Sequence, residues 1–166
     1  MNNKNKTGGN KMIKIATLDY KSVEEDRGWY KIWVTENTVI HILSILGFDY
    51  SDFKDSIEIS DNLCCIYVGE SDNLQKRFKN HFSEKSSSFS RHIKAILQND
   101  NTPFSNEVLS NWLSECYIEY GLAKDLDKSL AEHEAYLINS HLRILNHESN
   151  EHPKAKPIIE KIKQLN

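Results

Sequence analysis

Arg77 and His81 form a pair whose residue types and spacing could do chemistry. They lie four positions apart, so on a helix they would share one face, one turn from each other. Tyr67 stands near the end of the apolar run before that helix, and we expect Gly69 to let the chain turn into the helix without a side chain in the way. A phenol, a guanidinium and an imidazole at one point suit phosphate-ester chemistry, because a guanidinium binds phosphate oxygens in a bidentate manner. The alternative is a surface pair on an amphipathic helix.

Glu134 is a candidate metal ligand. It lies beside Leu130, Leu137 and Ile138 in a predicted helix, where an unpaired charge is costly. A metal ion would compensate that charge, and a single carboxylate with water and phosphate oxygens suits Mg²⁺. The alternative is an exposed glutamate in a charged helix. Glu132, on another face of the same helix, is the rival ligand.

The spacing of apolar residues predicts about three strands interleaved with four or five helices, in an α+β or α/β layer arrangement. The predicted strands are 28–35, 63–68 and 115–122, and a short strand at 57–59 is left open. The predicted N-caps of three helices are Asn37, Ser71 or Asp72, and Asp125 or Asp127.

The chain of 166 residues is expected to form one domain at 11–150, with an insertion at about 36–61. Residues 1–10 are polar, without the apolar stretch of a secretory signal, and are expected to be a disordered lead-in. Residues 151–166 are expected to be a basic tail with a final helix at 157–165.

No apolar run approaches ~18 residues, so no membrane span is expected. Three cysteines without a CxxC spacing argue against disulfides and zinc, and favour a reducing cytoplasm.

The formal net charge of −3 is unusual for a protein that binds nucleic acid. The charges are segregated, however: 71–97 and 153–166 are basic, whereas 49–70 and 100–134 are acidic. Such a pattern can present one basic face despite a negative total, although solvated helix faces would give the same pattern. The candidate substrate-binding residues are Lys76, Lys79, Arg91 and Lys94.

Taken together, three blocks of residues resemble the GIY-YIG nuclease superfamily over about 28–146. Each block is weakly specific alone, and their order and spacing together make a specific signal. The chain departs from the family pattern in three ways. An insertion separates the two tyrosine blocks, Glu70 stands where a basic or neutral residue is more usual, and Arg143 replaces a common proline. The blocks are Gly28-Trp29-Tyr30; Tyr67-Val68-Gly69 followed by Arg77; and Glu134-Ala135-Tyr136-Leu137-Ile138 followed by Asn146.

The resemblance implies a small central three-stranded antiparallel sheet flanked by helices, with a helical insertion between the first two strands. It also implies metal-dependent hydrolysis of phosphodiester bonds in DNA, with Glu134 holding Mg²⁺ or Mn²⁺. Tyr30 would orient or deprotonate the attacking water, and Tyr67 would be its partner. Arg77 would clamp the phosphate.

Two more residues complete the implied catalytic set. His81 would assist by a hydrogen bond or by relaying a proton, and Asn146 would orient the phosphate or the surroundings of Glu134.

The expected function is a restriction, defence or mobile-element endonuclease. The alternatives are a structure-specific DNA repair nuclease and a catalytically dead nucleic-acid-binding module. A homodimer is compatible with the restriction interpretation, since two cuts are commonly made by two subunits. The insertion and the basic tail are the candidates for target recognition.

Overall fold

The computed structural model describes residues 12–82 and 87–165, so the predicted lead-in at 1–10 lies outside the described residues. This part of the chain contains five strands, six α-helices and several short 3-10 turns. None of its helices is long and apolar enough to cross a bilayer. The elements are β1 (Ile13–Lys14), β2 (Gly28–Thr35), α1 (Glu36–Ile45), β3 (Ile59–Ser60), β4 (Leu63–Ser71), α2 (Leu74–His81), α3 (Ser88–Gln98), α4 (Asn106–Ser114), β5 (Tyr117–Leu122), α5 (Leu130–Ser140) and α6 (Ala155–Leu165).

All five strands belong to one antiparallel sheet, in the order β1-β5-β2-β4-β3. The α+β class is confirmed, but the prediction of three strands is wrong. The three long strands β2, β4 and β5 are those predicted, and the sheet gains β1 and β3 at its edges. Each edge strand has two residues. A segment of two residues is too short to show the alternation of apolar and polar residues that predicts a strand. These segments are recognised as strands only because they pair with longer neighbours.

The central strand β2 is buried along almost its whole length because helices cover both faces of the sheet. On one face Tyr30 and Ile32 join the larger core, which also takes residues from α1, α2, α3 and α6. On the other face Trp29 and Trp33 pack with Leu137 of α5 in a smaller core. The sheet therefore separates two cores of unequal size, one on each face of β2.

A bulge shifts the register of β4 against β2. Tyr67 lies opposite Ile32 and Cys65 lies opposite Trp33, which leaves Ile66 as the extra residue. A bulge re-aims the side chains beyond it. Here Ile66 and Tyr67 both contact the larger core, although they are adjacent in sequence.

The predicted insertion is part of the core. Val39, Ile42 and Leu43 of α1 are each at most 1% exposed and pack in the larger core. At the other end of the chain, the predicted final helix is present as α6. It packs against α3 and buries Ala155 and Ile158.

The N-caps differ from the predicted residues by one to four positions. The start of each helix is set by where the preceding strand or loop ends. The observed caps accept a hydrogen bond from a backbone N–H in the first turn. The caps of α1, α2 and α5 are Thr35, Asn73 and Ser129.

Candidate active site

A polar cavity of about 550 Å³ opens between the sheet, α2, α3 and α5. Five of the six predicted catalytic residues line it, and the sixth, His81, lies beneath it against Tyr30. No residue of the 36–61 insertion is among its lining residues, whereas Lys163 of α6 is. The predicted residues that line it are Tyr30, Tyr67, Arg77, Glu134 and Asn146.

Tyr30 lies in the central strand with its side chain fully buried. Its ring stacks edge-on against Phe78, with ring centroids 5.4 Å apart. Its hydroxyl hydrogen-bonds the Nε2 atom of His81 at 2.5 Å. Burial, with the neighbouring Tyr67 hydroxyl, raises the pKa of Tyr30 well above its usual value, although the charge of Arg77 acts in the opposite direction. Tyr30 is therefore a neutral hydroxyl at neutral pH.

Gly69 explains how the Tyr30 ring fits over the neighbouring strand. We expected Gly69 to serve the turn into α2, but β4 continues to Ser71, so Gly69 lies within the strand. It pairs with Tyr30 across β2 and β4. A Cβ atom at position 69 would overlap the Cζ and Oη atoms of Tyr30. The glycine therefore provides the space that the phenol occupies.

His81 is buried at the end of α2, with 1% of its surface exposed. Its Nδ1 atom hydrogen-bonds the Ser87 hydroxyl at 2.7 Å. The ring is packed among aromatic side chains, including those of Tyr67 and Phe89. Burial and the charge of Arg77 lower the pKa of His81 to about 3, so the imidazole is neutral at neutral pH.

Tyr67 and Arg77 face the same cavity. Burial raises the pKa of Tyr67, and the positive charge of Arg77 acts against that rise. The α2 helix begins at the Asn73 cap, which accepts a hydrogen bond from the Lys76 N–H. This start places Arg77 and His81 on the sheet side of the helix, as the four-residue spacing predicted.

Glu134 is half-buried in α5 and faces the cavity opposite Arg77. Burial and the negative charge of Glu70 raise the pKa of Glu134 to about 7, and Glu148 adds to the rise. Arg77 and the Glu70 backbone N–H act in the opposite direction. The carboxylate thus lacks sufficient positive charge to stabilise its ionised form fully.

Glu134 fits a divalent metal ion on these grounds. A hard cation prefers carboxylate oxygen and supplies the missing positive charge, and the open cavity has room for water and phosphate oxygens. Among the described residues no group of three or more His, Cys, Asp or Glu side chains is arranged to hold a metal. The protein would therefore give such an ion few ligands, as is usual for Mg²⁺.

The Asn146 side chain hydrogen-bonds the backbone of β4 at Val68, on the edge of the strand that faces away from β2. Its side-chain oxygen accepts the Val68 N–H at 2.8 Å, and its side-chain NH₂ donates to the Val68 carbonyl at 2.8 Å. Next to it, the Leu145 N–H donates to the carbonyl of the bulge residue Ile66. The Asn146 amide thus replaces a missing neighbouring strand at Val68.

Arg143 fixes the segment that carries Asn146 through buried hydrogen bonds. It is fully buried, and its Nη1 atom donates to Glu58 at 2.7 Å. Its Nε atom donates to the Leu137 carbonyl in α5. Lys31 donates to both carboxylate oxygens of Glu58. The residue that departs from the family pattern therefore ties the insertion to the helix that carries Glu134.

The predicted cationic residues separate into two groups. Arg91 lines the main cavity, and Lys76 lines a second cleft of about 460 Å³ that shares Arg77 and Ser88 with it. Lys79 and Lys94 are exposed, and neither is a lining residue of these two cavities.

Sequence reasoning missed several residues of the cavity wall. His92 and His147 stack with ring centroids 3.8 Å apart, and burial and the neighbouring His147 lower the pKa of His92 to about 4. Glu148 and Lys163 also face the cavity. His147 and Glu148 could have been proposed for the cavity from sequence, because they directly follow Asn146. His92 and Lys163 could not have been proposed, because only the packing of α3 and α6 brings them to the cavity.

Among protein families, the model described as the GIY-YIG catalytic domain matches residues 28–166. Comparison with curated proteins gives no significant match, and comparison with solved structures gives none either.

Proposed function

The chain belongs to the GIY-YIG nuclease superfamily, and on this premise we propose that it is a DNA endonuclease that depends on a divalent metal ion. Nucleases of this family generally need such an ion. The observation that carries the proposal is the convergence of Tyr30, Tyr67, Arg77 and Glu134 on one open polar cavity.

Hydrolysis requires water to attack phosphorus and lose a proton, and the bond to the 3′ oxygen to break. The proton of the water would pass to the Tyr30 oxygen as Tyr30 passes its own proton to Nε2 of His81, and the leaving 3′ oxygen would take a proton from solvent. Arg77 would bind the non-bridging phosphate oxygens and stabilise the charge that develops on them. Tyr30 would orient the attacking water through its hydroxyl oxygen, because its raised pKa keeps it protonated. Tyr67 would hold the phosphate or the water from the neighbouring strand.

Glu134 would hold Mg²⁺ or Mn²⁺. The bound ion would supply positive charge to the scissile phosphate and to the leaving oxygen. Asn146 would act indirectly, since both polar atoms of its side chain pair with Val68. It would fix the segment that lies beside Glu134 in the cavity wall.

We propose a restriction, defence or mobile-element role, acting on duplex DNA. Arg91 and Lys163 on the cavity wall and Lys76 in the second cleft would contact the DNA backbone on either side of the cut. A homodimer would let two such sites cut both strands. Glu70 and Glu148 favour the alternative of a module without catalytic activity, because their carboxylates, next to Glu134, would oppose the entry of a phosphate into this cavity.

The test is cleavage of supercoiled plasmid and of branched DNA with Mg²⁺ or Mn²⁺. Glu134→Ala and Arg77→Ala should each lower the rate by about 10²-fold or more. Glu132→Ala is the matched control, because Glu132 lies exposed on the same helix, and it should keep full activity. Full activity in either active-site variant would refute the assignment.

The pattern of products then identifies the role. Discrete plasmid fragments indicate a restriction-type enzyme, whereas cleavage of branched DNA alone indicates a repair nuclease. Binding without cleavage by any divalent metal supports the inactive module.

A further inference from the structure

Ser87, a half-buried residue that lines the second cleft, contacts His81 on the edge of the ring opposite Tyr30. The Tyr30 hydroxyl meets Nε2 at 2.5 Å, and the Ser87 hydroxyl meets Nδ1 at 2.7 Å. A neutral imidazole has one N–H and one bare nitrogen, so only one of these contacts can use an imidazole proton. The partner of Nδ1 therefore decides what Nε2 can do for Tyr30.

The hydrogen bonds around Ser87 indicate the direction. Ser90 donates its hydroxyl proton to the Ser87 carbonyl at 3.1 Å. Its oxygen accepts the Ser87 N–H at 2.8 Å and has a second lone pair for the Ser87 hydroxyl proton, at 3.1 Å. With its own proton used in this way, Ser87 is left as an acceptor toward His81. The Nδ1 atom of His81 then carries the proton, and Nε2 is bare.

We propose that Ser87 is a positioning residue that holds His81 in the Nδ1–H tautomer, so that Nε2 accepts the proton of Tyr30. The proposal rests on the proposed nuclease function for its catalytic meaning, but the tautomer itself does not depend on activity. The Tyr30 oxygen then keeps its lone pairs for the neighbouring Tyr67 hydroxyl and for a water in the cavity that Tyr30 lines. In that state it accepts a hydrogen bond from the attacking water.

The opposite tautomer would reverse this arrangement. Nε2–H would donate to Tyr30, and the Tyr30 proton would point toward Tyr67 or into the cavity. A hydroxyl that donates to the water engages one of the two lone pairs of the water, which makes the water a weaker nucleophile, and it does not accept the proton that the water must lose. The tautomer therefore decides whether Tyr30 orients the nucleophile correctly or blocks it.

The direct measurement is the tautomer of His81, read from long-range ¹H–¹⁵N correlations of the histidine side chains. The wild type should show a protonated Nδ1 and a bare Nε2. Ser87→Ala should shift His81 toward the Nε2–H form, and Ser87→Thr should restore the wild-type spectrum. In cleavage assays, Ser87→Ala should lower kcat by about tenfold with KM unchanged, and Ser87→Thr should recover it.

Ser87 is also the N-cap of α3, so the loss of a cap needs its own control. Ser105→Ala removes the equivalent cap of α4, where the hydroxyl accepts the Val108 N–H. It should lower stability to a similar extent and leave the tautomer and kcat unchanged. If Ser87→Ala does not fold, Ser90→Ala is the second variant. It frees the Ser87 proton to donate to Nδ1 and should shift the tautomer in the same direction.

The results separate the two proposals. A wild-type protein with the Nδ1–H tautomer but no cleavage would refute the nuclease function and leave the role of Ser87 in positioning His81 intact. A wild-type Nε2–H tautomer, or a tautomer that neither Ser87→Ala nor Ser90→Ala changes, would overturn the inference about Ser87.

Discussion

Gly69 lies opposite Tyr30 across β2 and β4, and the space left by its missing side chain is filled by the Tyr30 ring. Gly69→Ala should therefore destabilise the protein by about 1–3 kcal/mol through overpacking. It should also displace the phenol and reduce cleavage. In a Tyr30→Ala background the same substitution should cost almost nothing, because the overlapping ring is gone.

Urea unfolding of the two single variants and the double variant tests this relationship as a double-mutant cycle. Equal costs of Gly69→Ala in the presence and absence of the ring would contradict it.

Asn146 should contribute mainly to the edge of β4. Asn146→Asp removes the NH₂ donor and places a carboxylate against the Val68 carbonyl, which should cost about 1–3 kcal/mol at neutral pH. Amide exchange at Val68 should accelerate because repulsion between the new carboxylate and the Val68 carbonyl displaces the side chain that accepts the Val68 N–H. Asn101→Asp, at an exposed position, is the control and should stay within about 0.5 kcal/mol of wild type. Unchanged exchange at Val68 would speak against the edge role.

The residues of the site could be predicted from sequence because their types are distinctive and their order along the chain is that of the family. Tyr30, Arg77 and Glu134 needed no knowledge of packing. The contacts between them could not be predicted. The bulge at Ile66 has no signature in a continuous apolar run, and nothing local pairs Asn146 with Val68.

The same limit applies to Arg143 and Glu58. One lies after α5 and the other in the insertion, and only the folded chain brings them to 2.7 Å. From sequence Arg143 was a departure from a family pattern. In the structure it is a fully buried cation with a defined partner.

Breaking the Arg143–Glu58 pair should destabilise the protein strongly. Glu58→Gln leaves two buried cations, Arg143 and Lys31, without their carboxylate, and should cost about 3–5 kcal/mol. Adding Arg143→Met should recover part of that loss, because the buried charge is removed together with its partner. Urea unfolding of the single and double variants measures this. Strictly additive costs would show that the two residues do not act as a pair.

Glu134 should make the metal-free protein less stable as the pH rises. Its folded-state pKa of about 7 lies above its unfolded value, so its protonated form favours the folded state. That contribution is fully present below about pH 4.5 and is lost as the pH rises through 7. After discounting for the partial exposure of the group, we expect a loss of about 1–2 kcal/mol.

Glu134→Gln should remove this part of the pH dependence and stabilise the metal-free protein at pH 8. Thermal unfolding in chelator between pH 5 and pH 8 measures it, with Glu132→Gln as the control on the same helix. A Glu134→Gln profile parallel to wild type would contradict the prediction. Mg²⁺ should stabilise the wild type at pH 8 and have little effect on Glu134→Gln, because binding favours the ionised carboxylate.

Lys163 should contact DNA directly, because α6 places it on the wall of the candidate active-site cavity. In a Glu134→Gln background, chosen because we expect it to prevent cleavage, Lys163→Ala should weaken duplex binding. It should also reduce the slope of log K against log salt by about one unit, since one phosphate contact is lost. Lys156→Ala is the matched control, because Lys156 is an exposed lysine on the same helix that is not among the cavity's lining residues. Equal effects of the two substitutions would indicate that α6 contributes only general positive charge.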